Sequence, residues 1–145
     1  PSKQYKFKGA ITLVDGMKGN DSYATGAWLG FIDNDVEAII DLGQETEIKR
    51  VATNALVDMG SWIMGSTGMK VAVSNDNNTF REVASKEIPA ETDIAKKSIE
   101  NYEITFEPVQ ARYVKVVIKR SPTLPKGHAG EGKAAFLFID EIEID

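Results

Sequence analysis

Trp62 stands in the run Asp58-Met59-Gly60-Ser61-Trp62-Ile63-Met64-Gly65, with small residues on both sides of it. His128 stands in a second loop-like run, Arg120 to Lys133, where glycine and proline recur. An indole at a loop surface can cover the apolar C–H face of a sugar ring, while side chains of fixed geometry bond the hydroxyls around its rim. Asp33, Asn34 and Asp58 are acceptors suited to that rim, Lys126 is a donor, and His128 can be either. Tyr23 and Phe31 could line the same surface or merely pack their loop. Plainer readings stand beside these. A large aromatic often anchors a loop onto the body of a domain, and a lone imidazole is often incidental to any site.

Catalytic readings find less support. A serine-histidine-acid arrangement would have to use His128, and no serine occupies a nucleophile-elbow pattern. The acid pairs Asp33/Asp35 and Asp140/Glu141 could in principle serve glycoside hydrolysis, but acids two apart on a loop, as Asp33 and Asp35 are, are usually just solvated, and Glu141 has a better use given below. Phosphate-binding glycine loops and zinc-type histidine spacings are absent from the sequence. Asp76, among Asn75, Asn77 and Asn78, reads as a hairpin turn before it reads as a cation ligand.

Composition narrows the classes further. The 145 residues carry a formal net charge of −5, with 42% hydrophobic and 27% charged residues. This is the balance of one globular domain able to bury its own core, and we expect a single domain over 1–145. The absence of cysteine excludes disulfides and thiolate chemistry. Basic residues lie scattered among acids. That speaks against nucleic acid, whose binding depends on neutralising phosphates, and against docking on anionic membrane. A reading of Trp62, Ile63 and Met64 as a membrane-inserting spike is disfavoured on the same ground. The chain begins Pro1-Ser2, and we expect it to be a piece of a longer protein.

The elements that must position these loops are strands. Val36, Ala38, Ile40 and Leu42 alternate on one face, and Gly43 is expected to stop that strand. Ile48 to Leu56 is a second run. Met69 to Val73 and Thr79 to Val83 flank the Ser74–Asn78 turn as a hairpin. Tyr102, Ile104 and Phe106 share a face, with Glu107-Pro108 as the expected stop. Val114, Val116 and Ile118 point inward in the following run, and Phe136 to Ile144 closes the chain. The count is about eight short strands with turn residues between, which predicts an all-β sandwich of antiparallel strands. Glu91 to Lys97 could form one or two helical turns.

Several of these stretches resemble the coagulation factor 5/8 type C, or discoidin, family. Leu13-Val14-Asp15-Gly16, Trp28-Leu29-Gly30-Phe31 and Ile40-Asp41-Leu42-Gly43 are similar to its opening. Val71 to Asp76 with Phe80, Ala111 to Val116, and Phe138 to Ile144 resemble its later strands. The resemblance implies a discoidin-type jelly-roll β-sandwich in which Trp28 is a core aromatic. Gly60 to Met64 and Gly127 to Lys133 look like the C-terminal modules of Bacteroidetes family 20 β-hexosaminidases of the chitobiase type, grouped with carbohydrate-binding module family 32. Those relatives are expected to carry an aromatic where this sequence has Gly127.

That resemblance implies a structural Ca²⁺ where an early loop meets the last strand. Asp15 and Glu141 would give carboxylates, Thr12, Met17 and Asp140 backbone carbonyls, and Asn20 an oxygen, the hard donors this ion requires. It also implies a non-catalytic accessory module of a secreted glycoside hydrolase. Such a module would bind a terminal galactose or N-acetylhexosamine beside its parent catalytic domain, outside the cytoplasm. The alternative is a purely structural module that packs on its parent and binds no sugar.

Overall fold

The computed structural model describes residues 13, 14, 16, 18–20 and 22–145. Six strands occur among them: β1 (Leu29–Phe31), β2 (Val36–Asp58), β3 (Ser66–Ser74), β4 (Arg81–Glu87), β5 (Lys97–Arg120) and β6 (Leu137–Ile144). They pair antiparallel in the order β1-β6-β2-β5-β3-β4. Almost no helix accompanies them. Short 3₁₀ turns occupy Tyr23–Thr25 and Met59–Ser61, and the stretch from Glu91 to Lys96 holds only a turn.

Six strands replace the expected eight because β2 and β5 each combine two of them. The first half of β2, Val36 to Asp41, pairs with Tyr113 to Ile118 of β5. Its second half, Thr46 to Asp58, pairs with Lys97 to Ala111. Between these halves residues 42–45 of β2 face a single residue of β5, and Gly43 sits there at φ 86° with its N–H donated to Asp41 Oδ1 (2.8 Å). Gly43 therefore turns the strand through a bulge rather than ending it, since glycine reaches this left-handed region without a Cβ clash. Glu107-Pro108 is corrected in the same way. Residues 106–108 bulge opposite Lys49, where the ladder asks no N–H of Pro108.

These corners let two strands run through both layers of a sandwich. One layer contributes Val36, Met69, Val71, Val73, Val114, Val116 and Ile118 to the interior. The other contributes Leu29, Val51, Ala55, Ile104, Leu137, Ile139 and Ile142, and all belong to one buried cluster. Burying each of these side chains other than Ala55 stabilises the fold by about 1.5–3 kcal/mol, so this interior anchors the strands that support the loops. The outer face of the second layer is also covered. Trp28, Leu56, Ile63 and Phe138 form a second cluster there, flanked by Tyr23 and Phe136. Trp28 is fully buried, in the core position that the resemblance implied.

Candidate functional site

The loop bearing Trp62 is pinched at its base. Asp58 and Ile63 exchange two backbone hydrogen bonds of 3.0 Å, and the Trp62 N–H donates to the Met59 carbonyl at 3.1 Å. Trp62 closes this turn at φ 64°, a left-handed conformation costing a side-chain-bearing residue roughly 1–2 kcal/mol. The surroundings hold it there. Phe136 N–H donates to the Trp62 carbonyl and Met64 N–H to the Phe136 carbonyl, both at 2.9 Å. Ile63 and Met64 are each 1% exposed, so the apolar spike considered from the sequence is not formed; both point inward and only the indole is partly exposed.

The indole leans on the second loop. A Cβ added to Gly130 would sit 3.0 Å from two ring carbons of Trp62, so any larger residue would press the ring outward. His128 meets the ring edge-on, with centroids 6.2 Å apart, and Lys133 Nζ stands over it, 5.6 Å from the centroid. Beneath lie Val57, Met59, Met64, Leu124 and Ala135, all buried.

His128 is not turned toward solvent. Its Nδ1 accepts the Gly130 N–H at 2.9 Å, which leaves Nε2–H to donate to the Met59 carbonyl at 2.5 Å. With both nitrogens used and the residue buried, the imidazole bolts one loop to the other. As placed, it offers no group to a sugar hydroxyl. The position before it, Gly127, adopts φ 89° and donates its N–H to Glu131 Oε1 (3.0 Å).

The remaining expected residues distribute unevenly. Asp58 lies at the base of the Trp62 turn, and its Oδ2 accepts from the Ser61 hydroxyl (3.1 Å). Lys126 is exposed on the His128 loop. Asp33 and Asn34 are exposed on the turn after β1, and Asn34 Nδ2 donates to the Asp35 carbonyl (2.8 Å). That turn is tied to the base of the His128 loop, because Arg120 N–H donates to Asp35 Oδ1 (3.0 Å). Tyr23 instead packs at 5.7 Å from the Phe138 ring, in the outer-face cluster. Lys133 was not singled out from the sequence. Its signal was a cation ending a glycine-rich loop already suspected for other reasons.

At the expected cation position, Thr12, Asp15 and Met17 lie outside the described residues. Glu141 Oε2 accepts the Gly16 N–H at 2.9 Å, so the last strand and the early loop do meet. Asn20 Oδ1 accepts the Ser22 N–H (3.0 Å), and the Asn20 carbonyl accepts the Trp28 indole N–H (2.9 Å). Asp140 has a side-chain role that the sequence did not announce. Its fully buried carboxylate accepts N–H groups of Gly19 (2.9 Å), Asn54 (3.2 Å) and Glu141 (2.6 Å), and the Asn54 amide (3.1 Å). It sits in a bulge where Asp140 and Glu141 together oppose Asn54. The extra residue resets the alternation, so Ile139 and Ile142 both face the core. Among the described residues no group of three or more His, Asp or Glu side chains is arranged to hold a metal. A cation here would thus combine the Glu141 carboxylate and Asn20 with backbone carbonyls and donors that lie outside the described residues.

A small pocket of about 150 Å³ beside Gly65 contains two acids, Glu91 and Glu100. Lys96 Nζ lies 2.8 Å from each. Its hydrogen bonds hold both carboxyls below the usual range, whereas hydrolytic acid-base chemistry needs one of them raised.

The family is settled by comparison. The family model for the F5/8 type C domain matches residues 2–132. No curated protein sequence matches the chain. Among solved structures, CpGH89CBM32-5 from Clostridium perfringens, in complex with GalNAc-β-1,3-galactose, aligns with TM-score 0.57 at 18% identity, over 93% of this chain and 81% of that one. Chitosan-binding module 1 of a chitosanase/glucanase from Paenibacillus sp. IK-5 aligns with TM-score 0.54 at 18% identity, over 97% and 86%. The C-terminal domain of a chitobiase from Bacteroides fragilis aligns with TM-score 0.51 at 20% identity, over 94% and 78%. These likenesses share the sandwich, and the family match carries the assignment: the chain belongs to the F5/8 type C domain family.

Proposed function

We propose that this domain is a non-catalytic carbohydrate-binding module that holds a glycoside hydrolase, of the β-hexosaminidase or chitobiase kind, against its substrate outside the cytoplasm. One observation carries the reading: a partly exposed indole, Trp62, is fixed on a loop rim by hydrogen bonds on both sides and by a glycine cut to its shape. Asp58 and Lys126 on the two adjoining loops supply an acceptor and a donor, and Asp33 and Asn34 lie on a turn tied to the same loop base. The solved relatives support a glycan partner, since one holds GalNAc-β-1,3-galactose and another is a chitosan-binding module. A terminal galactose or N-acetylhexosamine is the expected ring. Its affinity would be weak, roughly millimolar to tens of micromolar, because few contacts are buried. Tethering still raises the effective concentration of the attached enzyme at its substrate.

The test is a monosaccharide titration followed by tryptophan fluorescence. The chain has two tryptophans, and Trp28 is sealed in the interior, so a saturable change reports Trp62. Loss of that change in Trp62→Ala supports the proposal. A flat response to every sugar points to the second reading, a module packing on its parent catalytic domain, which the inward-facing nitrogens of His128 favour.

A structural Ca²⁺ belongs to the same proposal. Glu141 would supply its carboxylate, Asp140 its carbonyl, and Asn20 an oxygen, with Thr12, Asp15 and Met17 completing the set. The Glu141–Gly16 contact supports it by bringing the two segments together. Chelation is expected to lower the melting temperature, and Glu141→Ala or Asp15→Ala to remove that difference. Identical melting curves with and without chelator would refute the ion.

A further inference from the structure

Lys133 is held at both backbone ends. Its N–H donates to the Gly130 carbonyl and its carbonyl accepts the Leu124 N–H, each at 2.9 Å. Its stem therefore rises from a fixed point beside Trp62, and the ammonium stands over the indole. Among the described residues no carboxylate lies within ion-pair distance of Lys133 or of Lys126 on the same loop. Several cations elsewhere on the domain, including Lys18, Arg50, Lys96 and Arg112, are matched to acids. Any sugar stacking on that indole face must move the ammonium off the ring, and a neutral one offers it no charged partner in return. A sugar bearing an acidic group can leave the ammonium at the rim and bond it.

Resting on the sugar-binding reading above, we propose that Lys133 makes this module selective for an acidic sugar, one whose ring stacks on Trp62 while its carboxylate or sulfate pairs with the Lys133 ammonium. Lys126 adds a second positive charge to the same loop. The mechanism is electrostatic choice at an aromatic platform. The indole supplies ring affinity that is indifferent to charge, and the lysine supplies the difference between acidic and neutral rings.

The experiment compares galactose, galacturonic acid and galactose 6-sulfate by calorimetric titration of the whole domain. At least one acidic sugar should bind about tenfold more tightly than galactose, the worth of one charge-assisted hydrogen bond. Uronate and sulfate are separate arms, and the tighter one identifies the acidic group. Lys133→Met keeps the stem and removes the charge; it should abolish the preference while galactose binding persists or improves. Lys133→Arg should restore it. Added salt should weaken the acidic sugars and spare galactose. Equal binding of all three sugars, or a preference that survives in Lys133→Met, overturns the selectivity alone. Absence of binding by any sugar overturns the sugar-binding reading with it.

Discussion

Gly130 lies so close beneath the indole of Trp62 that the two loops carrying them interlock. A Cβ on Gly130 would approach the ring to 3.0 Å and Leu124 Cδ1 to 2.7 Å. The single hydrogen of glycine is what allows Trp62 to rest on the neighbouring loop. Gly130→Ala should therefore overpack this contact, at a cost of about 1–3 kcal/mol. The melting temperature should fall, Trp62 emission should shift, and any sugar response should weaken. Unchanged emission would mean that the loops do not interlock in solution.

His128 bridges Met59 and Gly130 from within the same interface. His128→Ala should leave the buried Gly130 N–H without its acceptor, at a cost of about 1–3 kcal/mol, while the Met59 carbonyl keeps only the Trp62 N–H. The loss should appear in denaturant unfolding with no sugar present. A contact residue at a sugar site would instead leave stability alone and reduce affinity, so the two measurements distinguish a bolt from a binding group.

Asp140→Ala removes the acceptor of three backbone N–H groups and one side-chain amide. Hydrogen bonds to a charged acceptor contribute about 1.5–3 kcal/mol each, so a loss of at least about 3 kcal/mol is expected. The early loop should loosen with it, because Gly19 is one of the donors. Trp28 lies beneath that loop, where a Cβ on Gly19 would overlap its ring, and should become accessible to an aqueous quencher. A wild-type unfolding midpoint with Trp28 still shielded would refute this role.

Asp76, at the β3–β4 turn, is expected to contribute to the acid limb of stability. The Ser74 hydroxyl, with the Thr79 and Asn78 N–H groups, holds its pKa down to about 2, against an ordinary 3.8. A depressed carboxyl contributes fully above its unfolded pKa and loses that contribution as pH falls through the folded one. Stability should therefore decline from 3.8 toward about 2. Asp76→Asn should shallow that decline without removing it, because Asp41 is lowered by Arg112 and Glu143 by Lys18 and titrate in the same direction. The check is melting temperature against pH for both proteins. Superimposable acid limbs would count against the turn.

Strand faces were legible from alternation alone. Val36, Val114, Val116 and Ile118 could face inward only if their neighbours faced out, and all four are buried. The hairpin around Ser74–Asn78 was legible too, because its residue types satisfy their own backbone. Strand ends were not. Gly43 and Pro108 carry local signals to stop, and whether such a residue ends a strand or bends it depends on the partner strand opposite. That information is long-range: β2 and β5 meet across dozens of residues.

The same division runs through the candidate site. By residue type alone, the sequence determined an all-β chain without thiol chemistry, with a tryptophan among small residues and one histidine in a glycine-rich loop. Only the tertiary structure decided that the histidine turns inward, that Gly130 lies against the Trp62 ring, and that Lys133 stands over the indole. It also turned Asp140 from a strand residue into a buried clamp on Gly19 and Asn54. The reason is physical. Composition and alternation act between chain neighbours, whereas burial, hydrogen-bond partnership and the charge beside a ring are set by segments that only folding brings together.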